Sequence, residues 1–308
     1  MRHKERPPSP SIDDLPQGQT LARYTAARLG GQADYLYIAK DPSYRDLMPL
    51  LDQAWARGMP VTVIGGGANI LIADAGIRGL TIINRAAEIS HEDEGDEAFV
   101  TASSGTNLIR LARYCQENGL SGMEWAIAVP GTIGGAVVNN AGAHGGDIAS
   151  TMTRALIFEA GQGERWHGAE ELDYAYRHSL LKGRADQRFF VMRAQFKLRP
   201  DDPHWIQARM ERNNDYRRRT QPPGASLGSI FKNPPGDYAG RLIEAAGLKG
   251  LRVGSVQVSP IHANFFVNMH AEASARDYYE LIRLVRDRVD AAFGIRLELE
   301  IQTLGEWD

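Results

Sequence analysis

Apolar and polar residues recur along this chain with two periods, and the switches between them mark its elements. Short runs rich in β-branched and aromatic residues at 35–38, 61–64, 80–83 and 99–102 predict strands. Between the first two, residues 43–57 place Leu47, Leu50, Leu51 and Ala54 on one helical face, and Gly58 stops the helix. An acidic turn is predicted at 91–97 and a second helix at 106–117, and strand signals return at 155–159 and 189–198. The polar, basic stretch 209–221 runs into Pro222, Pro223 and Gly224, a boundary signal. Beyond it lie a short helix at 239–246 and strands ending at Val258 and covering 265–267. A long helix follows, with an apolar stripe of Tyr278, Leu281, Ile282, Leu284, Val285 and Val289, and a strand at 295–304 closes the chain. Mixed strands and helices in this order predict an α+β protein in several layers.

Two glycine-rich stretches break both periods. Gly65-Gly66-Gly67-Ala68-Asn69 follows a strand, and glycines there let main-chain N–H groups approach an anion, although a plain tight turn explains the triple glycine as well. No Gly-Lys-Ser/Thr follows, the spacing is not Gly-x-Gly-x-x-Gly, and no typical helix comes next, so the common nucleotide loops do not fit. The second stretch, 130–146, has glycines at 131, 134, 135, 142, 145 and 146 and is too long and apolar for a linker. Two such loops in adjacent units suggest one extended dinucleotide lying across both, which fits flavin adenine dinucleotide.

Composition narrows the picture from another side. A length of 308 residues allows two or three compact units. A net charge of −3 makes no case for nucleic acid or an anionic membrane, and no apolar run reaches the roughly 18 residues of a membrane span. The start of the chain lacks the apolar core of a signal peptide, so a cytoplasmic protein is expected, its first twenty or so residues a disordered extension. The single cysteine, Cys115, excludes an intramolecular disulfide and a cysteine-based zinc site, and no metal is expected. Cys115 falls in the predicted second helix and reads as a small buried hydrophobe rather than a nucleophile.

A set of motifs then appears in order. They are Leu-Gly-Gly at 29–31, Gly-Gly-Gly-Ala-Asn at 65–69, Val-Pro-Gly-Thr-Ile-Gly-Gly-Ala at 129–136 and Asn-Ala-Gly-Ala-His-Gly-Gly at 140–146. Tyr-Arg-His-Ser stands at 176–179, Gly-Ser-Ile-Phe-Lys-Asn-Pro at 228–234, Ala-Gly-Leu-Lys-Gly at 246–250, His-Ala-Asn-Phe at 262–265 and Leu-Glu-Leu-Glu-Ile at 297–301. Together they resemble the UDP-N-acetylenolpyruvoylglucosamine reductase family over about residues 25–305. Ala68 stands where that family usually has serine, and Leu299 where it has proline. The first change removes one hydroxyl donor, worth about 1 kcal/mol, and leaves the main-chain donors in place.

The resemblance implies a two-subdomain FAD-binding unit of the vanillyl-alcohol-oxidase-like (PCMH) type, over 23–86 and 87–204. An α+β substrate-binding domain over 205–300 and a C-terminal strand at 301–308 follow, with 1–22 the extension. It also implies FAD as cofactor, NADPH as co-substrate and a UDP-sugar as substrate, in a cytoplasmic step of peptidoglycan synthesis. The cofactor would be bound by Gly65, Gly66, Gly67, Ala68, Asn69, Ile70, Pro130, Gly131, Thr132, Ile133, Gly134, Gly135, Asn140, Ala141 and Gly142. Segment 177–200 has no room for the extra tyrosine loop of one subclass, so the other subclass is implied.

In the implied reaction a hydride reaches one carbon of an enol ether and a proton its neighbour. Ser229 matches the family's proton donor, although a serine standing alone reads as a turn residue. Arg177 matches the catalytic arginine, whose planar fork suits a carboxylate on which charge develops. Glu300 matches the last glutamate, and Glu298 shares its face if the segment is a strand. Tyr176, Arg218, Gln221, Lys232 and Asn233 are the matching substrate-binding positions. Any one of Arg217, Arg218 and Arg219 could equally be a solvated helix end; Lys249 and His262 also sit in matching motifs, and His262 could equally be a packed, hydrogen-bonded histidine. Two other readings account for part of the pattern: a different oxidoreductase of the same flavin fold, and a non-catalytic nucleotide-sugar binder. The first leaves Ser229, Arg177 and Glu300 unexplained as a group, and bound flavin would argue against the second.

Overall fold

The computed structural model describes residues 10–307. In the first unit four strands lie in the order Gln17–Thr20, Gln32–Ala39, Ile77–Asn84, Val61–Ile64, and the last three run parallel. Helix α1 (Leu47–Ala56) covers one face with the predicted Leu47, Leu50, Leu51 and Ala54, packing on Leu80 and Ile82. The same cluster takes in Phe158, Phe190 and Met192 of the next unit, so this helix is shared between two sheets.

The expected disordered extension over 1–22 is corrected from residue 10 onward, and residues 1–9 lie outside the described part. Ile12 and Leu21 are fully buried, and Gln17–Thr20 pairs with Gln32–Ala39. Pro and Asp set the low apolar content that reads as disorder, but two well-placed aliphatic side chains suffice to anchor a short segment on an existing core.

The second unit is an antiparallel sheet, Gly163–Gly168, Met152–Glu159, Phe189–Pro200, Glu97–Ser103, Ile89–Glu94, with Leu120–Ser121 paired to the long strand Phe189–Pro200. The supposed acidic turn at 91–97 is mostly two strands of a hairpin whose reversal is at Gly95, φ +62°. Its acidic side chains sit on the solvent face, which a composition reading takes for a loop. Helix α2 (Leu108–Glu117) buries Leu108, Leu111, Ala112 and Cys115, and Asn107 caps it by accepting from the amides of Ile109 and Arg110. Helix α3 (Ile133–Asn139) lies inside the second glycine stretch, where no helix is predicted, and buries Ile133, Ala136 and Val137. After α4 (Leu180–Gly183), the 18-residue helix α5 (Pro203–Thr220) adds Ile206 and Met210 to the same core. A boundary at 204/205 therefore cuts the start of a helix that belongs with the second unit. The break falls instead at 221–224, where the Pro-Pro-Gly signal stands.

The third unit has the antiparallel order Ala225–Ser229, Phe265–Asn268, Val256–Val258, Arg252–Val253, covered by α6 (Ala239–Ala245) and α7 (Ala275–Phe293). Both carboxylate oxygens of Asp74, from the first unit, accept the amides of Ala275 and Arg276 and cap α7, beside the capping hydroxyl of Ser274. The predicted closing strand at 295–304 is shorter. Only Gln302–Leu304 is a strand, and it pairs in parallel with Ile70–Ile72 of the first unit. Ahead of it, Leu299 makes a single bridge to Phe231. The C-terminal segment thus stitches the third unit onto the first beside the triple glycine.

Candidate active site

A cleft of about 290 Å³ opens where the three units meet. One wall is residues 65–70, which leave the strand Val61–Ile64. The glycines there are required by close contact: a Cβ on Gly65 would lie 2.0 Å from Thr132 Oγ1, and one on Gly66 2.9 Å from Gly131 Cα. The two glycine loops therefore touch, and main chain rather than side chains faces the cleft over much of their length.

The second loop divides. Pro130, Gly131, Thr132, Gly135, Ala141 and Gly142 line the cleft. Ile133, Gly134 and Asn140, grouped with them in sequence, stand behind it. The Ile133 amide donates to the Thr106 carbonyl at 2.9 Å and that of Gly134 to the Ser104 carbonyl at 2.8 Å, with the Ile133 side chain in the core. Asn140, at φ +45°, donates to the Ala175 carbonyl and accepts from the Ala149 amide, which brackets the loop to the turn that carries Arg177. Asn139 lines the cleft with its buried Oδ1 unpartnered among the described residues, a position the motifs do not single out.

Arg177 sits at φ +56° in a turn closed by paired Ala175 and His178 main-chain bonds. Its Nε donates to Glu300 Oε1 at 2.6 Å and its Nη2 to the Gly142 carbonyl at 3.0 Å. Tyr176 is exposed outside the cleft and backs the guanidinium, whose Cζ lies 5.2 Å from the ring centroid. Glu300 is held from two sides: its amide donates to the Ile230 carbonyl at 2.8 Å, and Asn69 Nδ2 donates to its carbonyl at 3.2 Å. Glu298 points away, exposed, and pairs with Lys232 at 3.3 Å. The structure thus separates the two glutamates that strand alternation leaves equivalent. Ser229 ends the strand Ala225–Ser229, opposite Phe265 and after a register shift with Gly228 at φ +74°, and lines the cleft.

Of the arginine run, Arg217 lines the cleft, and burial pulls its pKa down. Arg218 is 78% exposed and pairs with Asp215 at 3.5 Å, so the structure does not bring it to the cleft. Gln221 does line it, with a buried Oε1 unpartnered among the described residues. Lys232 and Asn233 stand outside, and Asn233 Oδ1 accepts the Ala239 amide at the start of α6. His262 packs on the Phe265 ring at 4.8 Å and accepts from the Asn264 amide, and Lys249 pairs with Glu244 at 2.7 Å. Both have structural partners outside the cleft.

Two touching glycine loops, main-chain walls and half-buried cations suit a long anionic dinucleotide. A family model described as FAD binding domain matches residues 38–167, and the protein is of the FAD-binding class, with an appended third domain. A second model, UDP-N-acetylenolpyruvoylglucosamine reductase, C-terminal domain, matches 220–304. UDP-N-acetylenolpyruvoylglucosamine reductase of Rubrobacter xylanophilus is 42% identical over 288 residues, covering 94% of this chain and 94% of the relative. That of Chloroflexus aggregans is 40% identical over 292 residues, covering 94% and 97%. The crystal structure of the Thermus caldophilus reductase, 32% identical, aligns with a TM-score of 0.78 over 94% of this chain and 98% of that one. This chain belongs to the UDP-N-acetylenolpyruvoylglucosamine reductase family.

Proposed function

We propose that the protein catalyses the NADPH-dependent reduction of UDP-N-acetylenolpyruvoylglucosamine to UDP-N-acetylmuramate, a step of peptidoglycan synthesis. The observation that carries this reading is the convergence of Ser229, Arg177 and Glu300, from three separate segments, on the cleft that both glycine loops line. Residues 65–70, 130–132, 135, 141 and 142 would hold FAD, which when bound would supply the hydride-transfer chemistry between NADPH and the enolpyruvyl group.

The chain's own residues handle the carboxylate and the proton. Arg177 offers its fork to the substrate carboxylate, where negative charge gathers as the neighbouring carbon is reduced, and Glu300 fixes the plane of that fork. Ser229 gives its hydroxyl proton to the carbon that bears the carboxylate. A serine is a weak acid, and it serves here because its partner is a strongly basic, short-lived enolate. Arg217 and Gln221, at the end of α5, line the cleft and would receive the UDP diphosphate and sugar. Between Arg177 and the strand Phe189–Pro200 there is only α4 and a short loop, which supports the subclass without the additional tyrosine loop. A reaction that draws on NADPH and a nucleotide sugar would run in the cytoplasm; among the described residues no helix is long and apolar enough to cross a membrane.

Stopped-flow absorbance with each substrate separately tests the assignment. In Ser229→Ala, bleaching of the flavin by NADPH keeps a near-normal rate, while its recovery with the enolpyruvyl nucleotide slows by ~10²–10⁴-fold. Equal slowing of both phases would refute the proton-donor role.

A further inference from the structure

The charges around the cleft do not balance as the three matched residues suggest. Arg177, the cation for the substrate carboxylate, already has Glu300 on its Nε at 2.6 Å, and the pair has no net charge. A substrate carboxylate added there puts two anions on one guanidinium in a partly dry site, which is unfavourable unless another cation faces it. Lys232 does not fill that place, because it lies outside the cleft and pairs with Glu298.

Lys182 does. It lines the cleft, and among the described residues its ammonium has no carboxylate within ion-pair distance. Its Nζ donates to the main-chain carbonyl of Arg177 at 3.3 Å. The turn that presents it is fixed from below: Ser179, fully buried, donates its hydroxyl to the Val138 carbonyl at 2.5 Å and accepts the Lys182 amide at 3.3 Å. Burial lowers the Lys182 pKa first, then the Lys232 charge, with Glu300 acting in the opposite sense and Arg177 again lowering it, so Lys232, Glu300 and Arg177 are all within electrostatic reach, and of the two lysines only Lys182 lines the cleft. A long flexible stem lets such an ammonium shift from a carbonyl to an arriving anion without moving its backbone.

We infer that Lys182 is a substrate-binding residue whose ammonium supplies the positive charge the Arg177–Glu300 pair lacks, selecting nucleotide sugars that carry a three-carbon carboxylate. This rests on the reading in the previous subsection.

The experiment is equilibrium titration of FAD-loaded enzyme with two nucleotides that differ by that group, UDP-N-acetylmuramate and UDP-N-acetylglucosamine. In Lys182→Met, affinity for the first falls about 10- to 100-fold, as for loss of a charged hydrogen bond, while affinity for the second is unchanged. Lys182→Arg recovers most of the loss. Lys182→Gln keeps a donor for the Arg177 carbonyl without the charge, and it behaves like the Met variant; it also carries the comparison if Lys182→Met does not fold. Equal losses for both nucleotides, no loss for either, or a Gln variant equal to wild type would overturn the assignment. With wild-type turnover of the enolpyruvyl nucleotide intact, such a result removes Lys182 alone; a wild-type enzyme that neither binds nor reduces its substrate removes both readings.

Discussion

Arg177 and Glu300, 123 positions apart, meet with Nε and Oε1 at 2.6 Å. One comes from a tight turn of the second unit at φ +56°, the other from the segment that ties the third unit to the first. Their side chains are 22% and 16% exposed, so the pair is screened less than a surface ion pair and its geometry sets where the guanidinium faces. Arg177→Met and Glu300→Gln are each expected to lower kcat/KM, and the double variant to fall short of their sum. The coupling read from such a cycle is about 1–3 kcal/mol. Additive effects would show that the two side chains act separately.

The arginine run gives a contrast within three residues. Arg217 is half-buried in the cleft wall, whereas Arg218 is in water beside Asp215. Arg217→Met is expected to weaken UDP binding about 10- to 100-fold, as for a charged hydrogen bond made out of bulk water. Arg218→Met should leave calorimetric affinity within error, as exposed ion pairs contribute little. Comparable losses in both would contradict the placement.

Gly67 and Gly145 separate steric need from conformational preference. Both have positive φ, +62° and +82°, but a Cβ on Gly67 would lie 2.0 Å from the Tyr24 carbonyl oxygen, while one on Gly145 meets open space. Gly145→Ala should cost about 1–2 kcal/mol, the ordinary left-handed penalty, and retain full flavin content. Gly67→Ala adds a backbone clash, so we expect a larger fall in Tm together with loss of flavin absorbance per chain. Full flavin loading in Gly67→Ala would show that the loop tolerates the shift.

Burial in the second core pushes the Cys115 thiol up to about 12. The neutral form is favoured in the folded state, so its contribution to stability is complete below the unfolded value near 9 and is lost as pH rises from there toward about 12. At pH 8 the native protein should resist alkylation, and label should appear only with unfolding in urea. Stoichiometric labelling of native protein at that pH would place the thiol at the surface.

Much of the fold was legible because burial leaves a local record. The strand Val61–Ile64 has the bounds its apolar run predicts, and Tyr278, Leu281, Ile282, Val285 and Val289 are the buried stripe of α7. Cys115 is inside the helix that periodicity predicts. Local pattern carries no such record where a segment borrows its partner from far away. Residues 10–22 look too polar to fold, yet Ile12 packs against α1 and Leu21 beneath the first sheet. Helix α3 is hidden by its glycines, which are accepted because the helix passes close to Ser104, 3.0 Å from a Cβ on Gly134.

For the site, residue type and motif order were enough to name the family, because the segments carrying Ser229, Arg177, Glu300 and the glycine loops stand at recognisable spacings. Which of those groups face one another depended on contacts across the whole chain. The Ile230 carbonyl and Asn69 turn Glu300, rather than Glu298, inward. The last turn of α5 puts Arg217 in the wall and Arg218 outside it, and the Thr106 and Ser104 carbonyls draw Ile133 and Gly134 away from the cleft. Periodicity encodes how much a residue is buried; the surface that buries it comes from segments a hundred or more positions away, and only their packing sets the direction a side chain faces.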